Sequence, residues 1–259
     1  MSKASIEMLR SYTLTKYIDV YARRKVINFA KAFLCYLSKT RFDPRYKSFD
    51  LFLALPKGLK ERKHIATRIV TKADIENVLR AIERAHVDEE LSSQLYHNYR
   101  ATVLFGAFTG QRPLATIAKL AVGQFREALK TSKPVLDIPP DCDKIKMQHY
   151  CPLHPQVVDA MLPVLDGQSD DELVFEQLSF QLWLRHNEIW LTHGGARIVN
   201  GDLRKFAEQH GDIIGWDQSN RAYILTHGVS GVDWTHYKHP LPEHVYDMYM
   251  RYWGHVTLK

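Results

Sequence analysis

At 259 residues, with 45% apolar and 25% charged residues, the chain has the composition of a folded protein of one large or two modest domains, which excludes wholesale disorder. No apolar run approaches the ~20 residues that a membrane-spanning helix needs, and MSKASIEMLR lacks the apolar centre of a secretory signal, so a cytoplasmic protein without a membrane anchor is expected. The net charge of +6 is uneven: residues 1–70 carry 16 Lys and Arg against 5 Asp and Glu, whereas the other 189 carry 19 against 24. A basic N-terminal quarter on a mildly acidic body suits a module that grips a polyanion, and nucleic acid fits better than anionic lipid because no amphipathic lipid-type segment accompanies it.

In chain order, residues 13–38 read as one long helix with Tyr17, Val20, Tyr21, Ala30, Phe33, Leu34 and Leu37 on its core face. Arg23, Arg24 and Lys25 supply part of its basic surface. Asp43-Pro44 breaks the helix, and 48–55 make a further short one. The basic run PKGLKERKHIATR contains Gly58 and places Lys60, Arg62 and Lys63 in a linker, with a domain boundary near residue 65. Thr71 and Asp74 form a capping box that opens a helix running to about His86. A second helix over 89–108 is stopped by Gly110, and Pro113 fits the first turn of another, PLATIAKLAV. Arg112 then stands at a junction between helices.

Residues 134–139 and 145–153 read as two strands joined through PDCDK, with Lys144 near the hairpin tip. Helices follow over 155–165, within SDDELVFEQLSFQLWL behind a capping Ser169 or Asp170, and over 200–210, 217–225 and 243–253. The expected fold class is mainly α with a small antiparallel β-sheet. It divides into a helical basic domain (1–65) and an α+β domain (66–259). The three cysteines cannot all pair in one chain. His149 and His154 lie near Cys142 and Cys151, but no CxxC or HxxxH spacing marks a metal site, and incidental thiols are the better reading.

The chemistry concentrates late in the chain, in THGVSGVDWTHYKH. Tyr237 follows His227 by ten residues, with Arg204 upstream in DLRKF and Arg112 in FTGQRPLAT. Two guanidinium groups are suited to neutralise one phosphate through paired donors, and a tyrosine can become esterified to it. A phenol with pKa ~10 ionises little at neutral pH, and nearby arginines favour its anion. Tyr246, Tyr249 and Tyr252 fall on a helical repeat and suit packing instead.

TGQRPLAT, the hairpin lysine, LRKF, LTHG and THYK occur in the order and spacing of the tyrosine recombinases, the phage-integrase family, and residues 68–259 resemble its catalytic domain. LRKF and the divergent first box look most similar to archaeal viral and plasmid integrases. The resemblance implies that residues 1–65 are a core-binding domain that clamps duplex DNA, with Arg23, Arg24, Lys25, Lys60, Arg62 and Lys63 as DNA contacts. It implies Tyr237 as nucleophile, Arg112, Arg204 and His227 around the phosphate, and Lys144 as the acid for the departing 5′ oxygen. Lys144 is selected by counting back eight residues from Pro152, with Lys146 in reserve. No metal or other cofactor is implied. The implied partners are double-stranded attachment sites and further copies of the chain, as a tetramer on DNA with the C-terminal helix docked on a neighbour.

Two departures stand out. Ala115 occupies the position, three residues after the first arginine, where the family usually has a carboxylate, so support for Arg112 is missing or supplied differently. Gly201 stands three residues before Arg204, where most members have a histidine; water, Lys205, His193 or His210 are the candidates to replace it. The alternatives to a recombinase are a topoisomerase-like DNA relaxer and a DNA-binding regulator that has lost turnover. A membrane-surface or RNA-binding helical protein is the remaining class.

Overall fold

A computed structural model describes residues 2–17, 20–54, 68–227 and 241–259. The fold is mostly helical with one two-stranded antiparallel sheet, and the chain divides into two compact units, Met1–Ile65 and Ala66–Lys259. Among the described residues no helix is long and apolar enough to cross a membrane.

The first unit contains α1 (Lys3–Lys16), α2 (Val20–Thr40), a single turn α3 (Arg45–Ser48) and a 3-10 turn over Phe49–Leu53. The single helix expected over 13–38 is therefore two. Tyr17 turns extended at the end of α1, and Arg23 donates to the carbonyls of Tyr17 and Leu14, satisfying acceptors that a continuing helix would have used. Ile6 from α1, Ile27 and Leu34 from α2 and Leu53 form the buried cluster, with Ala30, Tyr46, Phe49 and Phe52 against it. Phe33, expected in the core, is half exposed, and Tyr17 is also exposed. Ile27 and Leu34 are one heptad apart and face α1, which turns Phe33 away.

The second unit opens as expected. The Thr71–Asp74 capping box starts α4 (Lys72–Val87), and Ser92 caps α5 (Ser93–Thr109). Every residue of α5 from Ala101 to Thr109 is buried, and α4 and two later helices, over 155–165 and 201–213, pack around it. Beyond Gly110 the expected helix PLATIAKLAV does not form. The Arg112 carbonyl accepts from both Thr116 and Ile117, the chain makes a turn, and a 3-10 segment covers Ile117–Lys119 before α6 (Val122–Ala128). Strands β1 (Val135–Ile138) and β2 (His149–Pro152) pair with Val135 opposite Pro152 and Ile138 opposite His149. The second strand starts later than expected, because Asp143 captures the amides of Ile145 and Met147 and Lys146 adopts φ 60.

After α7 (Pro155–Leu165) the chain forms a turn in which Glu172 accepts from the Ser169 amide. Neither Ser169 nor Asp170 caps a helix, and α8 begins only at Gln177 and runs to His186. The last helices are α9 (Gly201–Ile213), α10 (Gln218–Ile224) and α11 (Pro242–Trp253). Val245, Tyr249 and Trp253 of α11 are buried in the chain's own core, with the Tyr249 hydroxyl donating to the Phe108 carbonyl at 2.9 Å. The apolar face of α11 thus packs into the core of its own unit. Cys35, Cys142 and Cys151 are free thiols, and burial pushes the Cys151 thiol up to about 12.

Candidate active site

Two close approaches set the site's frame. A Cβ on Gly106 would meet Leu203 Cδ1 at 2.7 Å, so α9 lies almost against the α5 backbone. Gly110 ends α5 with φ 63, and a Cβ there would collide with Leu225 Cδ2. The end of α5, the first turns of α9 and the end of α10 consequently meet at one place. Arg68 secures the start of α9 by pairing with Asp202, which is buried in that helix's first turn.

Arg112, Arg204 and His227 all reach this junction. The Arg112 guanidinium donates through Nη1 to Thr226 Oγ1 at 2.7 Å and to Asp143 Oδ1 at 3.3 Å. Arg204 donates through Nη1 to the Gly110 carbonyl at 2.8 Å and through Nη2 to the Leu225 carbonyl at 2.6 Å, while its Nε lies 3.2 Å from Glu208 Oε1. Glu208 Oε1 is also 3.4 Å from His227 Nε2, so one carboxylate oxygen bridges an arginine and the histidine. Burial lowers Arg204 to about 10, and the Arg112 charge pushes the same way, yet at neutral pH it remains a cation. Burial and the Arg204 charge lower His227 as well, against an opposing pull from Glu208.

Four further residues complete the cluster: Asp143, Thr226 and Glu208, which sequence reasoning missed, and His149, which it weighed only beside the cysteines. The Asp143 carboxylate is fully buried and also takes the Thr226 hydroxyl at 3.2 Å. Thr226 holds φ 50, a costly conformation for a β-branched residue, with its hydroxyl on both the arginine and the carboxylate. His149 is buried with Nε2 3.4 Å from Gln111 Oε1 and Nδ1 3.1 Å from the Met147 carbonyl, and burial lowers its pKa. Of the four, Glu208 had a local signal, its i,i+4 spacing from Arg204. Asp143 had an indirect one, since Ala115 left Arg112 in need of a carboxylate.

No family model matches the chain, and comparison with curated proteins finds no match either. Three solved structures are similar. They are an integrase from mycobacterium phage Brujita (15% identical, TM-score 0.46, covering 97% of this chain and 80% of that one); the XerA recombinase (16%, TM-score 0.45, 96% and 82%); and the Tn1549 transposon integrase, residues 82–397, in complex with circular intermediate DNA (11%, TM-score 0.47, 97% and 96%).

The remaining expected residues fall as follows. Tyr237 lies outside the described residues, as do Lys60, Arg62 and Lys63. Lys144 is exposed on the connection between the strands, next to buried Asp143, and its ammonium makes no hydrogen bond or ion pair among the described residues. Lys146 pairs with Asp141 at 3.0 Å. Arg24 and Lys25 are exposed on α2, and Arg23 donates to the end of α1.

Among the described residues nothing lies within 4 Å of where a Cβ on Gly201 would stand. His210 does not fold back toward Arg204. It stacks on Phe206 at 4.9 Å and neighbours Trp253 at 5.7 Å, on the core side of α9. His193 is exposed in the loop before α9. His154, once weighed with His149, stacks on Phe108 at 3.9 Å and accepts from the Gln156 amide to cap α7.

Proposed function

We propose that the chain is a tyrosine-type site-specific DNA recombinase. The observation that carries the reading is the meeting of Arg112, Arg204 and His227 around the end of α10, although the first is far from the others in sequence. Two guanidinium groups held by buried carbonyl, hydroxyl and carboxylate partners form a preorganised positive centre, as a pentacovalent phosphorane requires. Asp143 and Glu208 each hold one of the two arginines in place.

In the proposed reaction the Tyr237 oxygen attacks a DNA phosphorus. Its proton passes to solvent, since Gly201 offers no imidazole and the arginines stabilise the phenolate. A 3′-phosphotyrosyl bond forms, the 5′ oxygen departs with the bonding pair, and Lys144 protonates it. A 5′ hydroxyl from a second duplex then attacks the phosphotyrosyl phosphorus, its proton passing to Lys144, while the tyrosyl oxygen leaves with the bonding pair and is reprotonated from solvent. The arginines supply the positive charge and the ester stores the bond energy, so the sequence of steps calls for no nucleotide. Residues 1–65, with Arg24 and Lys25 exposed on α2, take the role of a DNA clamp, and the working species is a tetramer on two duplexes.

The test is a pool of nicked duplexes of random sequence, incubated with the protein and denatured. The expected result is a covalent protein–DNA adduct that disappears in Tyr237→Phe. Joining of two different recovered duplexes distinguishes strand exchange from relaxation of a single one. Retained DNA binding without any adduct would overturn the enzyme reading in favour of a DNA-binding regulator, the reading that Gly201 favours.

A further inference from the structure

Asp143 stands where three otherwise separate pieces of the second unit meet. Its side chain is fully buried. Oδ1 receives Arg112 Nη1 at 3.3 Å and the Thr226 hydroxyl at 3.2 Å. Oδ2 receives the amides of Ile145 at 3.1 Å and Met147 at 3.3 Å, and the residue's own carbonyl receives the Lys146 amide at 3.3 Å. A short side chain that gathers the following amides defines a turn. Here the turn winds about a carboxylate whose other oxygen holds an arginine, and the next residue in the chain is Lys144.

We infer that Asp143 is a positioning residue that places the Lys144 loop relative to Arg112. The inference rests on the recombinase reading. An acid protonates a leaving oxygen only from within hydrogen-bond reach, roughly 2.6–3.2 Å between heavy atoms. Arg112 sits at the end of α5 and Lys144 on the connection between the strands, and neither contacts the other. Their separation is set instead by one buried group that both share. The carboxylate thus supports Arg112 in place of Ala115, and it carries that support over to the loop that bears the acid.

A merely structural carboxylate and one that places Lys144 differ in how they respond to the leaving group. A duplex in which sulfur replaces the bridging 5′ oxygen at the cleaved phosphate releases a thiolate when the tyrosyl oxygen–phosphorus bond forms. The phosphorus–sulfur bond breaks with its electron pair on sulfur, and no acid is needed. Oxygen and sulfur versions of a duplex recovered from the adduct pool are compared in single-turnover adduct formation with the full chain.

For Asp143→Asn the expected result is a fall of about 10²-fold on oxygen, the lower end of what general acids contribute, and a much smaller fall on sulfur. Thr226→Val leaves the loop amides on Oδ2 and removes only the hydroxyl between carboxylate and arginine, so it should slow both substrates equally. If Asp143→Asn shows no cooperative melting transition, Asp143→Glu is read in its place. It keeps the charge but moves the amide-binding oxygens, and the same split between oxygen and sulfur is expected. Equal slowing on both substrates by the Asp143 variant, or no slowing on oxygen, overturns the inference. A wild-type protein that forms no adduct with either duplex overturns the recombinase reading beneath it, which is a distinct failure.

Discussion

The unit formed by residues 1–65 and the unit that follows differ in how much apolar side chain each buries. Among the described residues of the first, Ile6, Ile27, Leu34 and Leu53 make up the buried cluster, while Phe29, Phe33 and Tyr36 of α2 face outward. In the second, a continuous core runs from Val70 to Leu258, centred on α5 and closed by the aromatic face of α11. A thin core leaves little margin against chain entropy, so the first unit should respond to single changes as a whole. The thick core of the second allows costs elsewhere, among them the left-handed Thr226, two guanidinium groups in close quarters and a carboxylate taken fully out of water.

The sharpest test of that contrast lies in the second unit's site. Arg112→Ala and Arg204→Lys should each reduce single-turnover adduct formation by roughly 10²–10³-fold, the range found when a donor to a developing oxyanion is removed. Lysine keeps the charge of Arg204 but cannot donate to the Gly110 and Leu225 carbonyls and Glu208 together. Near-normal rates in Arg204→Lys would reduce its contribution to bare charge.

Next come paired core truncations, Ile27→Ala in the first unit and Ile82→Ala in the second, each fully or nearly fully buried. Each should cost about 2–5 kcal/mol. By calorimetry the first should abolish its own unit's transition, and the second should only lower one. Two transitions that shift equally would erase the distinction between the units.

Acid should act on the second unit. Burial lowers His154 to about 4, and its unprotonated Nδ1 caps α7. Its folded pKa lies below the unfolded value of roughly 6.5, so the neutral form belongs to the fold. The contribution is complete above about pH 6.5, declines below it and is lost as pH falls through 4, amounting to about 3 kcal/mol. His154→Asn retains a capping acceptor and should flatten that acid limb in denaturant titrations at pH 4 and pH 7. An unchanged limb would assign the loss to other groups, His149 first.

The smallest effect belongs to the first unit's surface. Lys25→Ala should leave stability within about 0.5 kcal/mol of wild type, because the side chain is exposed. If it touches a phosphate, the slope of log affinity against log salt should become shallower by about one. An unchanged slope removes Lys25 from the DNA surface.

Most helices of the second unit were legible because their signals are local. The Thr71–Asp74 box, the stop at Gly110, Pro155 in a first turn and the spacing of Val245, Tyr249 and Trp253 act within a few residues of themselves. Local signals also misled. Pro113 suggested a helix where the Arg112 carbonyl instead takes two amides in a turn, and Ser169 looked like a cap where Glu172 folds back on it. The end of α1 at Lys16 escaped the periodicity because α1 and α2 feed one buried cluster, Ile6 from the first and Ile27 and Leu34 from the second.

By itself, then, the sequence determined a mainly helical chain with one hairpin, a basic leading segment, and a short roster of residues suited to phosphate chemistry. Only the tertiary structure decided that Arg112, Arg204 and His227 share one place, and that Asp143, Thr226 and Glu208 hold them there. The physical reason is range. Helix propensity, caps and turns are set by neighbours along the chain, whereas a buried carboxylate finds its arginine only after α5, α9, α10 and the hairpin have packed and excluded the water that would otherwise solvate both.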